Sequence, residues 1–508
     1  MERRICFAAI AITWSLASPI VLSAHDGVQD GELPRVLAND NRRPAGTFAA
    51  GSLVLKLRAG LGLWRSEGEN GPALRVESLG EESGSLQVPA PLIRVREGTE
   101  IAASIRNDLD VALKVHGLCA HDGSPCPAVD IPAASSRDVR FATGRAGTYH
   151  YWATTTGMPL SFRTVDAALS GAFIVDPPDA NADSDRVLVI TEWSSLTRAQ
   201  LRQLMASDDV TATFLALNPR FTFLINGLAW PATERLTYRL NEQVHWRVVN
   251  LSTQWHPMHL HGFYFDVDGL GDGLRDAAAA DKPRVVTQLM PPGGTMAMTW
   301  QAERAGNWLF HCHIREHVSP QRRLTEANPS EGQHHEHHSA HDASAGMAGM
   351  ILGVTIIDVN GAPANSGEPP PIPARKMTLI MQTQPKRYGD APAYGFVLAE
   401  SDSAPPVDSV PVPGPTLALR RGEPVEITLV NHLPEATAIH WHGMELESYY
   451  DGVHAWSGAG TRVTPLIEAG GSFTVRFTPP HTGTFMYHTH LHDEHQLTSG
   501  MYGALLVL

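Results

Sequence analysis

The sequence is poor in positive charge, in cysteine and in long apolar runs, and each shortage excludes something. Its 508 residues carry a formal net charge of -14, which argues against nucleic acid as a partner because such binding needs a basic surface. After the N-terminal segment no apolar run is long enough to cross a bilayer, so we expect no membrane span. A chain of this length exceeds one compact core and suggests three domains.

The N-terminal residues 1–24 have the features of an export signal. Arg3 and Arg4 precede an apolar run of signal-peptide length, and the small residues Ser23 and Ala24 offer a cleavage site. The alternative is a disordered or buried N-terminal strand. We expect removal of this segment, and therefore a periplasmic or secreted protein.

The sequence has only four cysteines, and one of them, Cys6, leaves with the expected signal. In an oxidising compartment Cys119 and Cys126 either pair across a short loop or stay apart, and the sequence leaves both outcomes open. Cys312 then has no partner. A lone cysteine in an exported protein needs a reason to stay a thiol, and metal ligation is one such reason.

A loose repeat runs through the chain, and the plentiful glycine and proline, 44 and 37 residues, favour short strands and turns. A Gly-x-aromatic pattern opens the segments 147–154, 306–313 and 483–490. Each follows an apolar strand that ends at an asparagine, and histidines fall nine and eleven residues after Asn250 and after Asn431. The pattern predicts three Greek-key β-sandwiches, with linkers at 176–185 and 360–375.

One short segment, SSLTRAQLRQLMAS, has helical periodicity instead. It places Leu201, Leu204 and Met205 on one face. Core packing explains this face, and we assign it no function.

Four His-x-His pairs are the strongest chemical signal. On a β-strand residues i and i+2 share a face, so each pair offers two imidazoles to one site, and imidazole suits copper, zinc and iron. A single pair is equally well explained as surface histidines, but four pairs at equivalent places in a repeat are not. The pairs are His259/His261, His311/His313, His440/His442 and His488/His490.

Cys312 lies between His311 and His313, so its sulfur faces the opposite side of the strand. A cysteine with two histidines and a weak axial methionine is the blue-copper electron-transfer site. His256 and His317 are the unpaired histidines placed to complete that set.

Four motifs, "HPMHLHG", "HCHIREH", "HWHG" and "HTHLHDEHQLTSGMYG", resemble the copper-binding motifs of the multicopper oxidases, a laccase-like family. The resemblance covers all three domains and implies an all-β fold of three consecutive cupredoxin-like Greek-key β-sandwich domains. It also implies four copper ions: one type 1, one type 2 and a type 3 pair. The motif order departs from the family, because the domain with "HWHG" and "HTH" closes the chain instead of opening it.

Three domains arranged in a ring explain that order as a circular permutation, since the two copper-bearing domains still face each other. We expect a copper-free domain at 45–177, a domain with the type 1 copper and half of the trinuclear site at 185–358, and a domain with the other half at 376–508. At the strand equivalent to "HCH" the first domain has Trp152, Ala153 and Thr154. It keeps His116, which we interpret as a relic or a hydrogen-bonded core histidine.

The resemblance also assigns roles residue by residue. The type 1 copper takes His256, Cys312 and His317. The type 2 copper takes His259 and His440. The type 3 pair takes His442, His488 and His313 on one copper, and His490, His261 and His311 on the other. Two acids resemble catalytic positions of the family: Asp451 near the type 2 copper, and Glu316 as a carboxylate that relays protons to the oxygen site.

The axial ligand is where the match to the family breaks. Its usual position, five residues after His317, is Arg322, which cannot bind copper. We choose Met347 as the displaced axial ligand, with Met350 second. The insertion 321–342 carries five histidines; we hypothesise that it receives copper or shapes access for a metal substrate, the alternative being a flexible polar loop.

The resemblance therefore implies a laccase-like oxidase that couples one-electron oxidation of a phenolic, aromatic or metal-ion donor to reduction of dioxygen to water. The sequence does not reveal the donor, because specificity depends on loops over the type 1 site. One alternative is a copper nitrite reductase, which needs only a single type 2 copper at its catalytic site. Another is a non-catalytic copper-binding or cell-envelope protein. Because three domains complete one site, we expect a monomer.

Overall fold

The structure is a computed structural model that describes residues 33–162, 164–180, 185–324, 346–358, 374–399, 410–491 and 495–508. The expected export signal, at 1–24, and most of the histidine-rich insertion lie outside these ranges. No helix in the described part of the chain is long and apolar enough to span a bilayer. Strands dominate, and they form six sheets that follow the chain as three successive pairs.

The first pair has sheet orders β1-β5-β4-β3-β7-β10, with β2 beside β3, and β6-β12-β11-β8-β9. Its strands are β1 (Arg35–Ala38), β2 (Thr47–Ala49), β3 (Ser52–Trp64), β4 (Leu74–Glu81), β5 (Leu86–Val88), β6 (Ile93–Arg96), β7 (Glu100–Asn107), β8 (Leu113–His116), β9 (Val129–Ile131), β10 (Ser135–Ala142), β11 (Gly147–Thr154) and β12 (Ser170–Asp176).

The second pair has sheet orders β14-β13-β16-β22-β18-β19, with β20 beside β18, and β15-β24-β23-β17-β21. Its elements are β13 (Asp185–Ser194), α1 (Arg198–Met205), α2 (Val210–Leu217), β14 (Phe221–Ile225), β15 (Arg235–Arg239), β16 (Gln243–Asn250), β17 (His256–Leu260), β18 (Phe265–Gly271), β19 (Asp276–Ala278), β20 (Arg284–Val285), β21 (Thr287–Met290), β22 (Thr295–Gln301), β23 (Gly306–Cys312) and β24 (Ile351–Ile357).

The third pair has sheet orders β26-β25-β28-β32 and β27-β34-β33-β29. Its strands are β25 (Arg375–Tyr388), β26 (Ala391–Ala399), β27 (Gly414–Leu419), β28 (Val425–Asn431), β29 (Ile439–His442), β32 (Ser472–Phe477), β33 (Gly483–Thr489) and β34 (Tyr502–Val507). The short strands β30 (Gly458–Ala459) and β31 (Arg462–Val463) lie in this part of the chain but extend the sheet of β23. The prediction of an all-β chain of three consecutive cupredoxin-like sandwiches is confirmed.

Each sheet pair encloses its own apolar core. Strand alternation produces this core directly: along β28 the side chains of Val425, Ile427 and Leu429 are buried while their neighbours are half-exposed. Because successive strand residues point to opposite faces, every second apolar residue faces the opposing sheet. The periodicity that predicted sandwiches is therefore the pattern that the cores bury.

The asparagine that ends one strand in each repeat has a structural purpose. Asn107, Asn250 and Asn431 are all fully buried. Each Oδ1 accepts the main-chain N–H two residues later, and each Nδ2 donates to the carbonyl four residues later in the following loop. These bonds satisfy polar groups that burial would otherwise leave unpaired. The asparagine thus shapes the loop that leads to the histidine-bearing strand of the repeat.

The two helices lie between β13 and β14. Thr197 caps α1 in a capping box with Gln200, which satisfies two main-chain N–H groups at the helix start. Leu201 and Leu204 are buried as predicted, but Met205 is 46% exposed. The sequence analysis did not predict α2, which carries no charged side chain and has no buried residue.

Candidate metal centre

The four His-x-His motifs lie on two pairs of neighbouring strands. In the second sandwich β17 pairs with β23, which aligns His259 with His311. In the third sandwich β29 pairs with β33 in the same way, aligning His440 with His488. Each strand pair therefore presents its imidazoles from one end of its sandwich.

A short strand joins the two sandwiches. β30 belongs to the third sandwich by sequence but pairs with β23 of the second, at Asn307 and Gly458. The Asn307 side chain donates to the Trp456 carbonyl at 3.0 Å, and the Trp456 indole donates to the Trp308 carbonyl at 3.0 Å. These bonds hold the histidines of the third sandwich against those of the second.

The first group of converging side chains contains Cys312, His256 and His317, which the structure brings together as predicted. The Cys312 sulfur lies 3.5 Å from His256 Nδ1 and 3.4 Å from His317 Nδ1, and the two Nδ1 atoms are 3.0 Å apart. All three residues are buried. Three donor atoms at these separations leave room for one metal ion between them.

Hydrogen bonds fix the protons of these two imidazoles. The Ser252 hydroxyl donates to Asn250 Oδ1 at 2.8 Å, so its oxygen accepts the proton of His256 Nε2 at 2.6 Å. The His317 Nε2–H donates to Gln254 Oε1 at 3.1 Å. With both Nε2 atoms protonated, both Nδ1 atoms carry lone pairs that face the cysteine. Lone pairs that face each other in a buried site repel each other, and a cation bound between them would remove this repulsion.

The surroundings of the Cys312 thiol also favour a bound cation. Burial raises the pKa of the Cys312 thiol to about 12, although the Ile314 N–H donates to its sulfur at 3.4 Å. Burial also lowers the pKa of His317 to about 4, so this imidazole is neutral at pH 7. Metal ligands must be a thiolate and neutral imidazoles. The imidazoles are ready to bind, and a bound cation would supply the charge that stabilises the thiolate.

Two methionines lie next to this group. Met350 is fully buried; its N–H donates to the His317 carbonyl at 3.0 Å, and its own carbonyl accepts the Cys312 N–H at 3.2 Å. Met347, the residue chosen from sequence, is also buried but lines a separate cavity with Val318. The main-chain bonds of Met350 to two of the three group members favour it as the axial candidate.

The second group contains the eight paired histidines. Sets of ligand atoms within 4.8 Å of one another are His259/His261/His311, His259/His440/His442, His313/His442/His488 and His261/His440/Asp451. The third of these sets has the same members as one of the trios predicted from sequence. We refer to the eight paired histidines as the histidine cluster.

Main-chain carbonyls orient four of the eight histidines of the cluster. The Nδ1–H groups of His259, His311, His440 and His488 donate to the carbonyls of Val286, Cys312, Asp451 and Thr489, at 2.7, 2.8, 2.7 and 2.6 Å. The opposite nitrogen of each of these rings then faces the other histidines. Among the described residues of the histidine cluster, five buried ring nitrogens have no hydrogen-bond partner: His259 Nε2, His440 Nε2, His442 Nδ1, His488 Nε2 and His490 Nδ1.

The contact between His261 and His311 tests whether a metal fits. The Nδ1–H of His261 donates to Asp451 Oδ2 at 2.8 Å, and that of His311 to the Cys312 carbonyl. Both Nε2 atoms therefore carry lone pairs, and they lie 2.9 Å apart. Two lone pairs at this distance repel unless a cation lies beside both. Together with the five unpartnered nitrogens, this arrangement fits a metal cluster.

Burial and mutual repulsion lower the pKa values of most histidines of the cluster. Burial, followed by the charges of neighbouring histidines, lowers the pKa of His313 to about 4 and that of His490 to about 3. The pKa values of His259, His261, His311, His442 and His488 are also well below the ordinary range for the same causes. Neutral imidazoles at pH 7 are the form that binds metal ions.

Asp451 lies where the sequence placed it, beside the cluster. Its side chain is 1% exposed; Oδ2 accepts from His261 Nδ1 and from the Ser457 hydroxyl at 2.9 Å. The following Gly452 has a φ of +93°, and a Cβ there would lie 1.9 Å from the Ile439 carbonyl. Only glycine permits this close approach, which brings the Asp451 turn against β29.

Glu316 lies elsewhere. Its side chain is 42% exposed and forms an ion pair with Arg315. It lines an outer cavity of about 650 Å³ beside His317. A different cavity, of about 40 Å³, reaches the cluster at His311 and His490. The contacts of Glu316 do not bring it to the cluster, so they give no support to the proton relay that we expected of it.

The first sandwich has no equivalent metal group among its described residues. The register of β8 and β11 puts His116 opposite Trp152, where the other sandwiches pair two histidines. The His116 and Trp152 rings stack with centroids 4.0 Å apart, so His116 packs as a structural residue. Of the two outcomes left open for Cys119 and Cys126, the structure has the disulfide, with Cα atoms 5.5 Å apart.

Sequence reasoning missed the residues that hold the ligands. Ser252 and Gln254 orient the two imidazoles of the first group, and the Thr287 hydroxyl lies 3.1 Å from both His259 Nδ1 and His442 Nε2. Ser252 and Gln254 belong to a polar stretch between Asn250 and His256. That stretch was a sequence signal from which these two residues could have been predicted. Thr287 comes from a distant strand and gave none.

Comparisons with known proteins show the family of this chain. Two family models, both described as multicopper oxidase, match residues 197–323 and residues 85–180 with 410–508. Together they cover more than half of the chain, which therefore belongs to the multicopper oxidase family. The model that matches the first sandwich also matches the third.

Individual relatives match shorter stretches. Copper resistance protein A of Pseudomonas syringae pv. tomato is 38% identical over 96 residues, which is 19% of this chain and 14% of that protein. Laccase-1 of Emericella nidulans is 39% identical over 97 residues, 19% of this chain and 15% of that protein. The chain thus matches about a seventh of the length of these relatives. The blue copper oxidase structure from Nitrosomonas europaea shares 16% identity, covering 60% of this chain and 85% of that chain, with a TM-score of 0.43.

Proposed function

We propose that this protein is a laccase-like oxidase that couples one-electron oxidation of a donor at the Cys312 group to reduction of dioxygen to water at the histidine cluster. One observation carries the proposal. Cys312 directs its sulfur into the first group while His311, its neighbour in the chain, directs its imidazole into the cluster. A single strand end therefore belongs to both metal sites.

Copper bound at these groups would supply the one-electron chemistry at the first site and the dioxygen chemistry at the second. We propose the ligands as the sequence assigned them: type 1, His256, Cys312 and His317; type 2, His259 and His440; type 3, His313, His442 and His488, with His261, His311 and His490. The axial position stays between Met347 and Met350, and the main-chain bonds of Met350 favour it.

The chain's own groups orient these ligands and supply protons. Asp451 would hold His261 by its side chain and His440 by its carbonyl, fixing both tautomers. The small cavity beside His311 and His490 exceeds the volume of one water, so water within it would carry protons from solvent towards the cluster. Glu316, which lines the outer cavity, stays a prediction for the proton relay.

The order of the sandwiches is the second part of the proposal. We propose a circular permutation in which a copper-free sandwich, predicted at 45–177, precedes the two copper-bearing ones, predicted at 185–358 and 376–508. The pairing of β30 with β23 supports it, because this contact joins the second and third sandwiches directly. The complete ligand set lies in one chain, which supports a monomer. Export by residues 1–24 and a copper-related role of the insertion 321–342 also stay predictions.

Copper analysis combined with oxygen uptake tests the function. We expect four copper ions per chain, visible absorption from a cysteine–copper bond, and oxygen uptake with hexacyanoferrate(II), a donor that needs no dedicated pocket. Nitrite reduction in place of oxygen uptake would favour the nitrite reductase alternative. Copper binding without turnover of any donor would favour a non-catalytic copper protein.

A further inference from the structure

A buried glutamate interrupts the apolar row of β13 that faces the Cys312 group. Every second residue of a strand points to the same face, and Leu188 and Ile190 both belong to the core that contains Cys312. Glu192 is the next member of that row and is only 1% exposed. Burying a carboxylate costs free energy unless other groups compensate it. Such a departure from the core pattern is expected where a residue serves function.

Thr253 provides part of that compensation. Its main-chain N–H and its hydroxyl both donate to Glu192 Oε1, at 3.2 and 2.6 Å. Thr253 is the middle residue of the loop that joins β16 to β17. The Glu192 side chain therefore holds this loop at its centre, from a strand 61 residues away in the sequence.

The two neighbours of Thr253 orient the imidazoles of the first group. The Ser252 hydroxyl oxygen accepts the Nε2 proton of His256, and Gln254 Oε1 accepts that of His317. A shift of the main chain at Thr253 would move both acceptors, because they flank it directly. One loop thus transmits the position of the Glu192 side chain to both imidazoles.

A second contact path leads from Glu192 to the same imidazoles. The register of β13 and β14 puts Glu192 opposite Phe223. The Phe223 ring lies against the His317 ring with centroids 3.9 Å apart, and its centroid is 5.8 Å from that of His256. Thr253 and Phe223 line the outer cavity, whereas Glu192 is not among the described residues that do so. Glu192 therefore lies behind the surface that an electron donor could reach.

We propose that Glu192 is a positioning residue that sets the reduction potential of the Cys312 group. Its side chain holds Ser252 and Gln254 where they accept the protons of the ligand imidazoles. Its negative charge, buried on the core face that leads to Cys312, stabilises the oxidised site, which is the more positive of the two redox states. The inference rests on the proposed binding of copper by this group.

The charge is tested by Glu192→Gln, which keeps the shape and an acceptor oxygen for Thr253. Copper-loaded protein is titrated with a redox mediator under argon, with the visible absorption of the Cys312 site as the signal. We expect the equilibrium constant for one-electron reduction to rise about 10-fold, the scale of one charge at about 10 Å in a protein interior. This change corresponds to a rise of about 59 mV.

Glu81→Gln is the matched control for this titration. The Glu81 carboxylate also accepts a main-chain N–H, that of Gly46 at 2.9 Å, but in the first sandwich. We expect its potential to equal that of the wild type.

The hold on the loop is tested separately, by amide hydrogen exchange of the copper-free protein. Glu192→Ala removes the acceptor, and we expect the Thr253 amide to exchange about 10-fold faster, as for the loss of one hydrogen bond to a charged group. Thr253→Val keeps the volume and loses only the hydroxyl, so it gives a smaller increase and serves where Glu192→Ala does not fold. Glu192→Gln should exchange almost as the wild type does.

The outcomes separate this inference from the oxidase proposal. An unchanged or lower potential in Glu192→Gln would overturn the inference, and so would wild-type exchange in both Glu192→Ala and Thr253→Val. Absence of the visible absorption in the wild type, or of oxygen uptake with every donor, would instead count against the proposed function. Since the exchange measurement needs neither copper nor turnover, it would still decide whether Glu192 holds the loop.

Discussion

The Asp451 carboxylate gives the sharpest test of how the chain holds its cluster. Its Oδ2 accepts from His261 and from Ser457, and the side chain is 1% exposed. In Asp451→Asn the shape is kept, but the negative charge is lost and the amide must offer its oxygen to both donors. The proton of His261 Nδ1 then loses a charge-assisted acceptor in a buried site.

The size of the effect follows from two independent scales. A hydrogen bond to a charged group contributes about 1.5–3 kcal/mol. Replacing a group that orients a metal-bound histidine typically costs about 10- to 100-fold in metal affinity or activity, which corresponds to about 1.4–2.7 kcal/mol. We therefore expect Asp451→Asn to lower the oxygen-reduction rate by about 10- to 100-fold. Ser457→Ala removes one neutral bond and should cost less than about 10-fold.

The assay measures copper content, the visible absorption of the Cys312 site and oxygen uptake with hexacyanoferrate(II). We expect the visible absorption to persist, because Asp451 contacts the cluster histidines and not the Cys312 group. Asp268→Asn, the same chemical change at a residue bonded to Lys282 and Thr299, serves as the control. Wild-type copper content and turnover in Asp451→Asn would refute the reasoning.

Three further predictions concern the ligands and their protonation. Ser252→Ala leaves His256 Nε2–H without its acceptor at a cost of about 1–3 kcal/mol, so the visible band should shift and the thermal midpoint should fall; an unchanged spectrum would contradict the proposed tautomer. Met350→Leu should change the reduction potential of the Cys312 site more than Met347→Leu does; a larger change in Met347→Leu, measured by redox titration, would favour Met347 as the axial ligand. In copper-depleted protein the pKa of His313 is about 4, against an ordinary 6.5. Between pH 6.5 and pH 4 the unfolded chain therefore gains a proton at this histidine while the folded chain does not. The free energy of unfolding should decrease by about 3 kcal/mol over that range. Urea unfolding should show this loss, and greater stability at pH 5 than at pH 7 would contradict it.

The sequence predicted much of the site because two of its rules are local. Strand alternation alone puts His311 and His313 on one face and Cys312 on the other, and the structure has that arrangement. The repeat of asparagine followed by histidines predicted equivalent sandwiches, and Asn107, Asn250 and Asn431 form equivalent loop clamps. The all-β fold followed from the same periodicity.

The expectations that stay predictions depended on where side chains lie in three dimensions. Glu316 is adjacent to His317 in sequence, but the short 3₁₀ turn Arg315–His317 leaves it beside the outer cavity. Met347 was favoured over Met350 by position in the chain, whereas main-chain bonds to Cys312 and His317 favour Met350. α2 was missed because its apolar face has no core partner and so no periodic burial pattern.

By itself, the sequence determined which residues are chemically able to bind copper and which of them share a strand face, because alternation along a strand depends only on chain geometry. Only the tertiary structure decided how these sets meet. The pairing of β30 with β23 brings His440 and His488 against His259 and His311, and the helix pair α1–α2 folds over His317 to form a cavity. Both are contacts between segments far apart in the chain, so no local pattern specifies them.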